Sequence, residues 1–200
     1  MAETVITGMR ALESQADPIP EETIVPFSPN GVLQLGGQTW EILHTPGHAS
    51  MQTCFYQRDT RQLISADMLL AITPTPVVEQ PPAGVDHRVP ALPLFMESLD
   101  LIEQLEVEEV FPGHGRPFGD HRAVIARQRE RILGRKAECL ELVQQGIDTL
   151  PELTERMYSH QPKGVRLTGL WMLIGYLDLL INDGLIQEET VDGVWHYTPV

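Results

Sequence analysis

The stretch His44–Leu70, HTPGHASMQTCFYQRDTRQLISADMLL, sets a Thr-Pro-Gly-His turn before an apolar strand, Cys54–Tyr56. A polar turn, Arg58-Asp59-Thr60-Arg61, follows, and a second apolar run, Leu63–Ile64, ends on Asp67. His48 and Asp67 therefore fall at strand ends, where a sheet holds side chains rigidly toward one cleft. A third piece has the same form: Val110-Phe111 leads through Pro112-Gly113 to His114 and Gly115. Imidazole and carboxylate delivered from three strand-end loops suit a fixed transition-metal site, with zinc, iron or manganese as matching ions. Each residue alone reads as a structural histidine or a strand-end aspartate. It is the three together, each on a strand-end loop, that point to a metal.

This pattern resembles the metallo-β-lactamase superfamily. In that family a T-P-G-H turn supplies one metal-binding histidine, a strand ending in G-D supplies a carboxylate shared by two metals, and P-G-H-G supplies another histidine. The matching residues here are His48, Asp67 and His114. The resemblance implies an α/β fold, the second half of an αββα sandwich, and a zinc-dependent hydrolase with two ions in the complete site. Iron or manganese are the alternative metals. Asp67 would bridge both ions, His48 would bind the first and His114 the second. Metal-activated water would then attack a thioester, an ester or a phosphodiester, with no nucleophilic side chain required.

The match has departures. Ser65-Ala66 stands where the family has a glycine before the aspartate, and Ala49-Ser50-Met51-Gln52 replaces a small, Gly-containing continuation. The family's H-x-H-x-D-H loop supplies the remaining ligands, and Met1–Leu43 contains no histidine. The chain thus resembles the second half of the sandwich plus a C-terminal extension. With only three ligand residues, it is expected to bind metal poorly. The competing reading is a non-catalytic remnant or interaction module without a complete metal site.

Two hundred residues with 42% hydrophobic content suit one domain, or one domain with a small appendage. No run of about 18 apolar residues is available for a membrane span, and no basic-then-apolar leader opens the chain. A net charge of −14 argues against broad affinity for nucleic acid, which needs basic surface to replace phosphate counterions. The two cysteines, Cys54 and Cys139, read as small buried hydrophobes, which fits a reducing cytoplasm.

The pattern along the chain predicts a short helix over residues 2–15, then an acidic connector broken by Pro18, Pro20 and Pro26. Val32–Leu35, Gly36-Gly37 and Gln38–Leu43 read as a hairpin, with Trp40 and Ile42 on its buried face. Residues 73–93 hold six prolines and read as a substrate-facing loop carrying His87, an exposed loop histidine by default. Helices are expected over Leu94–Leu105 and from Asp120 to about Gln145, with Asp120 as a cap rather than a ligand and His121 close behind it. The second helix carries Arg122, Arg127, Arg129, Arg131, Arg135 and Lys136. It reads chiefly as a solvated face with Glu130 and Glu138 as local partners, and alternatively as a basic wall for an acidic substrate.

Composition changes near residue 147, which divides the chain into a metallo-β-lactamase-like part, 1–146, and a C-terminal module, 147–200. Helix Leu150–Tyr158, apolar helix Leu167–Ile181 and a strand–turn–strand over Leu185–Tyr197 resemble a winged helix, which many hydrolases of this superfamily carry, including the β-lactamase-like-2 group. Residues 149–200 hold seven acids against three bases, net −4, so no DNA contact is expected and the module should pack on the rest. Half a sandwich would also leave Trp40, Ile42, Phe55 and Ile64 uncovered. The chain is then expected to self-associate, or to need a partner that supplies the other half.

Overall fold

The computed structural model describes residues 19–28, 30–77, 79 and 88–200. The helix expected over 2–15 and the loop histidine His87 lie outside the described residues. Five strands form one sheet in sequential order: β1 (Val32–Leu35), β2 (Gln38–His44), β3 (Thr53–Gln57), β4 (Gln62–Ala66) and β5 (Glu109–Pro112). The first three pairings are antiparallel and β4 pairs with β5 in parallel. A parallel pair needs a crossover, here α1 (Ala91–Glu103). Gly36 and Gly37, with φ of 61° and 76°, close the β1–β2 hairpin in the left-handed backbone that a two-residue turn demands.

After the sheet come α2 (His121–Gln144), α3 (Leu150–Tyr158), α4 (Lys163–Asn182) and the hairpin β6 (Ile186–Val191)–β7 (Val194–Pro199). Asp120 caps α2, its carboxylate accepting from the Ala123 N–H at 2.9 Å. The first helix starts three residues earlier than its apolar spacing suggests, with Pro90 before its first turn and Pro93 inside that turn.

The main core lies between one face of the sheet and the helices. Tyr56, Leu63 and Val110 are cross-strand partners in register, and all are fully buried with Cys54. Against them pack Leu92, Phe95, Leu99 and Ile102, the apolar stripe of α1. Leu173, Tyr176, Leu177 and Leu180 of α4 extend the same core, which continues to Ile186 and Tyr197 in the C-terminal hairpin. At Gly175 the two helices touch: a Cβ there would lie 2.6 Å from the Leu92 Cβ. Residues 147–200 therefore share one unbroken core with the sheet domain.

The opposite face differs from the sequence expectation. Trp40 and Ile42 lie on it, yet only 7% and 4% of their surface is exposed. Residues on the N-terminal side of β1 fold over them: the Ile42 N–H donates to the Gly31 carbonyl at 2.9 Å, and Phe27 meets Phe55 edge-on at 5.5 Å. Phe55, Ile64 and Phe111 remain half-buried. The expectation of four uncovered side chains thus fails for Trp40 and Ile42 and holds in part for Phe55 and Ile64.

Candidate metal centre

Three turns at one end of the sheet meet. The turn before His48 is fixed from below by α1. Ser98 donates its hydroxyl to the Pro46 carbonyl at 2.8 Å, and Gly47, at φ 138°, sits so close to Phe95 that a Cβ would lie 2.4 Å from the Phe95 Cβ. Only glycine meets both demands. Thr45, fully buried, bonds to the Cys54 thiol on the neighbouring strand; burial pushes that thiol up to about 12, so it stays protonated and serves packing.

The His48 ring is held by its Nδ1, 2.6 Å from the Pro76 carbonyl. A carbonyl only accepts, so Nδ1 carries the proton and, in the neutral ring, Nε2 presents its lone pair. That lone pair faces the Asp67 carboxylate, with Nε2 3.4 Å from Oδ2. Asp67 follows a register shift in β4, where Ala66 takes a positive φ of 44°. This is the position where the family pattern has glycine, and the left-handed backbone is the reason for it. Thr75 donates to the Asp67 carbonyl at 2.9 Å.

Asp67 Oδ1 is buried with no hydrogen-bond partner among the described residues. It lies against Gly113, where an added Cβ would come within 2.3 Å of it. His114 completes the group with Nε2 3.6 Å from the same Oδ2. It is 77% exposed, against 26% for His48 and 24% for Asp67.

All three residues singled out from the sequence are therefore brought together on one carboxylate oxygen. Two ligands bound to one ion at 2.0–2.1 Å in tetrahedral geometry stand about 3.4 Å apart, close to both separations seen here. A neutral imidazole lone pair facing a carboxylate also repels it unless a cation or proton lies between. The donor set fits zinc, iron or manganese. It is two pairs sharing one oxygen, however, and among the described residues no group of three or more His, Cys, Asp or Glu side chains is arranged to hold an ion by itself.

Thr75, the Pro76 carbonyl and Ser98 were not visible as site residues in the sequence. The proline-rich loop carried the only signal, and its first part proves to be scaffold: Thr75 and Val77 are buried, and the Glu79 carboxylate accepts from the Ser50 N–H. His121 stands apart at the start of α2, where burial and then Arg122 hold its pKa below the usual histidine range. Beside the trio, the segment Leu70–Pro76 also walls a cleft of about 520 Å³ against α2 and α4.

The family model for the metallo-beta-lactamase superfamily matches residues 4–114, which span every turn just described. The chain belongs to the metallo-β-lactamase superfamily. Among its relatives is the Bacillus subtilis (strain 168) "Probable metallo-hydrolase YqjP", 26% identical over 161 residues, 80% of this chain and 49% of that protein. The Gallus gallus "Acyl-coenzyme A thioesterase MBLAC2" is 30% identical over 91 residues, 46% of this chain and 31% of that one. A β-lactamase domain protein from Burkholderia ambifaria shares the fold, with a TM-score of 0.79 and 23% identity over 92% of this chain and 54% of that one. The superfamily member described here thus spans about half the length of the relatives it matches. No helix among its described residues is long and apolar enough to cross a membrane.

Proposed function

We propose that this chain carries the Asp67-centred part of a dinuclear metal-dependent hydrolase site, with zinc as the first candidate ion. The observation that carries the reading is the single Asp67 oxygen facing the Nε2 atoms of both His48 and His114. His48 would hold one ion, His114 the other, and Asp67 would lie between them. Cations held by these residues would supply Lewis-acid chemistry, lowering the pKa of bound water toward neutrality and polarising a scissile carbonyl or phosphoryl oxygen.

The chain's own contribution is orientation. The Pro76 carbonyl fixes the His48 tautomer and ring plane, a common support for ligating histidines. Gly113 leaves room for the Asp67 carboxylate, and Thr75 ties the backbone beneath it. Among the described residues no such tie holds the His114 ring, so its orientation depends more on what it binds. A thioester is the favoured substrate class among thioester, ester and phosphodiester, because two relatives carry that activity in their names.

A second reading, a non-catalytic interaction module in the cytoplasm, draws support from the absence of a closed three-ligand group among the described residues. Thiol release from decanoyl-coenzyme A separates the two. Zinc-dependent turnover that is abolished by a chelator and by Asp67→Asn is expected for the hydrolase. A folded chain that releases no thiol at any zinc concentration supports the module instead.

A further inference from the structure

The cleft beside the trio differs in charge from the rest of the molecule. The chain holds 28 acids against 14 lysines and arginines, yet the cleft lining contains Arg127, Arg131, Arg135 and His160 and no acid. The three arginines sit at i, i+4 and i+8 on α2, one face of the helix with about 6 Å between successive side chains.

The remaining bases of α2 are spoken for. Arg122 pairs with Glu106, Arg129 with Asp100 and Glu103, and Lys136 with Asp183. Arg135 pairs with Glu138 and lies over the Tyr158 ring at 4.8 Å. Arg127 and Arg131 make no ion pair among the described residues; Arg127 reaches only the Ala71 carbonyl, at 3.3 Å. The two unpaired guanidiniums are thus the two that face the cleft without a local acid.

The apolar lining of the cleft comes from Phe95 of α1, Val124 and Ile132 of α2 itself, and Met172 of α4. Gln128 of α2 also lines the cleft, buried, donating to Thr75 at 3.2 Å while its own Oε1 has no partner among the described residues. Thr75 in turn bonds the Asp67 carbonyl, so the cleft and the trio share one scaffold. A volume of about 520 Å³ suits a small molecule rather than a polymer strand. Unpaired guanidiniums recognise phosphate oxygens, and an apolar lining recognises an alkyl chain.

We infer that this cleft binds a phosphate-bearing acyl thioester, with Arg127 and Arg131 as the phosphate ligands and the apolar residues lining the cleft holding the acyl-bearing arm. The thioester in this statement rests on the hydrolase reading above; the pairing of anion with apolar arm rests on the cleft alone.

The test is calorimetric titration of the full chain with decanoyl-coenzyme A in excess chelator, where metal-dependent turnover cannot contribute. Binding to the wild type is expected. Arg127→Gln/Arg131→Gln should weaken it at least about tenfold, the loss of charge-assisted hydrogen bonds. Arg122→Gln/Arg129→Gln removes the same charge from paired positions on the same helix and should change affinity less than about twofold. Inorganic phosphate alone and decanoate alone should each bind more weakly than the joined molecule. Equal losses in the two double variants, phosphate binding as tightly as decanoyl-coenzyme A, or no binding to the wild type would each overturn the proposal. Metal-dependent turnover with undiminished binding in Arg127→Gln/Arg131→Gln would remove this proposal and leave the hydrolase standing. Arginine-dependent binding without turnover would do the reverse.

Discussion

Leu63 and Ile64 are neighbours on β4 and look out on two different environments. Leu63 is fully buried between Tyr56 and Val110, in the core shared with the helices. Ile64, between Phe55 and Phe111, is only half-buried. The helix side of the sheet is closed by a core that runs from Cys54 to Tyr197. The other side is covered over Trp40 and Ile42, while Ile24, Val25 and Phe27 near that cover are themselves exposed. The sheet is therefore stable from one side. The trio of His48, Asp67 and His114 shows the same asymmetry: His48 is held by a second contact, and His114 is open to solvent.

The largest expected effect sets these two residues against each other. Leu63→Ala should cost about 3–4 kcal/mol of unfolding free energy, transfer plus cavity, and Ile64→Ala about 1 kcal/mol. Urea denaturation measures both. Comparable losses would show that the second face is as well packed as the first.

The open face should also betray itself in solution. With Ile64, Phe55 and Phe111 half-exposed beside exposed Ile24, Val25 and Phe27, the chain is expected to bind a hydrophobic dye and to self-associate as concentration rises. Sedimentation as a monomer with no dye response would mean the cover is complete.

A titration on the closed side gives a subtler contrast. Burial pushes the Asp178 carboxyl up to about 6, despite Arg88 at 2.6 Å. Its protonated form is favoured in the fold, so its contribution to stability is full below about pH 4 and is lost as pH rises through about 6. The stability difference between wild type and Asp178→Asn should therefore fall across that window. A difference independent of pH would place Asp178 in a better-solvated setting.

The smallest effect is at Ala66. Relieving its left-handed backbone with glycine gains about 1 kcal/mol, and most of this is offset by the freer unfolded chain. Ala66→Gly is expected to change stability by less than about 0.5 kcal/mol. A loss above about 1 kcal/mol would show that the Ala66 methyl packs rather than strains.

Much of this was legible in the sequence. The Gly36-Gly37 hairpin, the Asp120 cap and the convergence of His48, Asp67 and His114 follow from turn chemistry and strand-end placement, which are local. What escaped was long-range. The Pro76 carbonyl that fixes His48 is backbone and leaves no mark in residue identity. The alternation around Trp40 separates two faces but does not say which one the helices cover. The arginines of α2 were expected to pair locally with Glu130 and Glu138; only Glu138 pairs, and the other acids come from α1, the loop after it and the end of α4.

The central claim is that this chain holds paired but incomplete ligand sets around one carboxylate. Zinc titration against a competing chelator tests it most directly. Two protein ligands per ion should give binding weaker than about micromolar, sensitive to buffer and lost in Asp67→Asn. Two tightly held equivalents, or binding indifferent to Asp67→Asn, would contradict it.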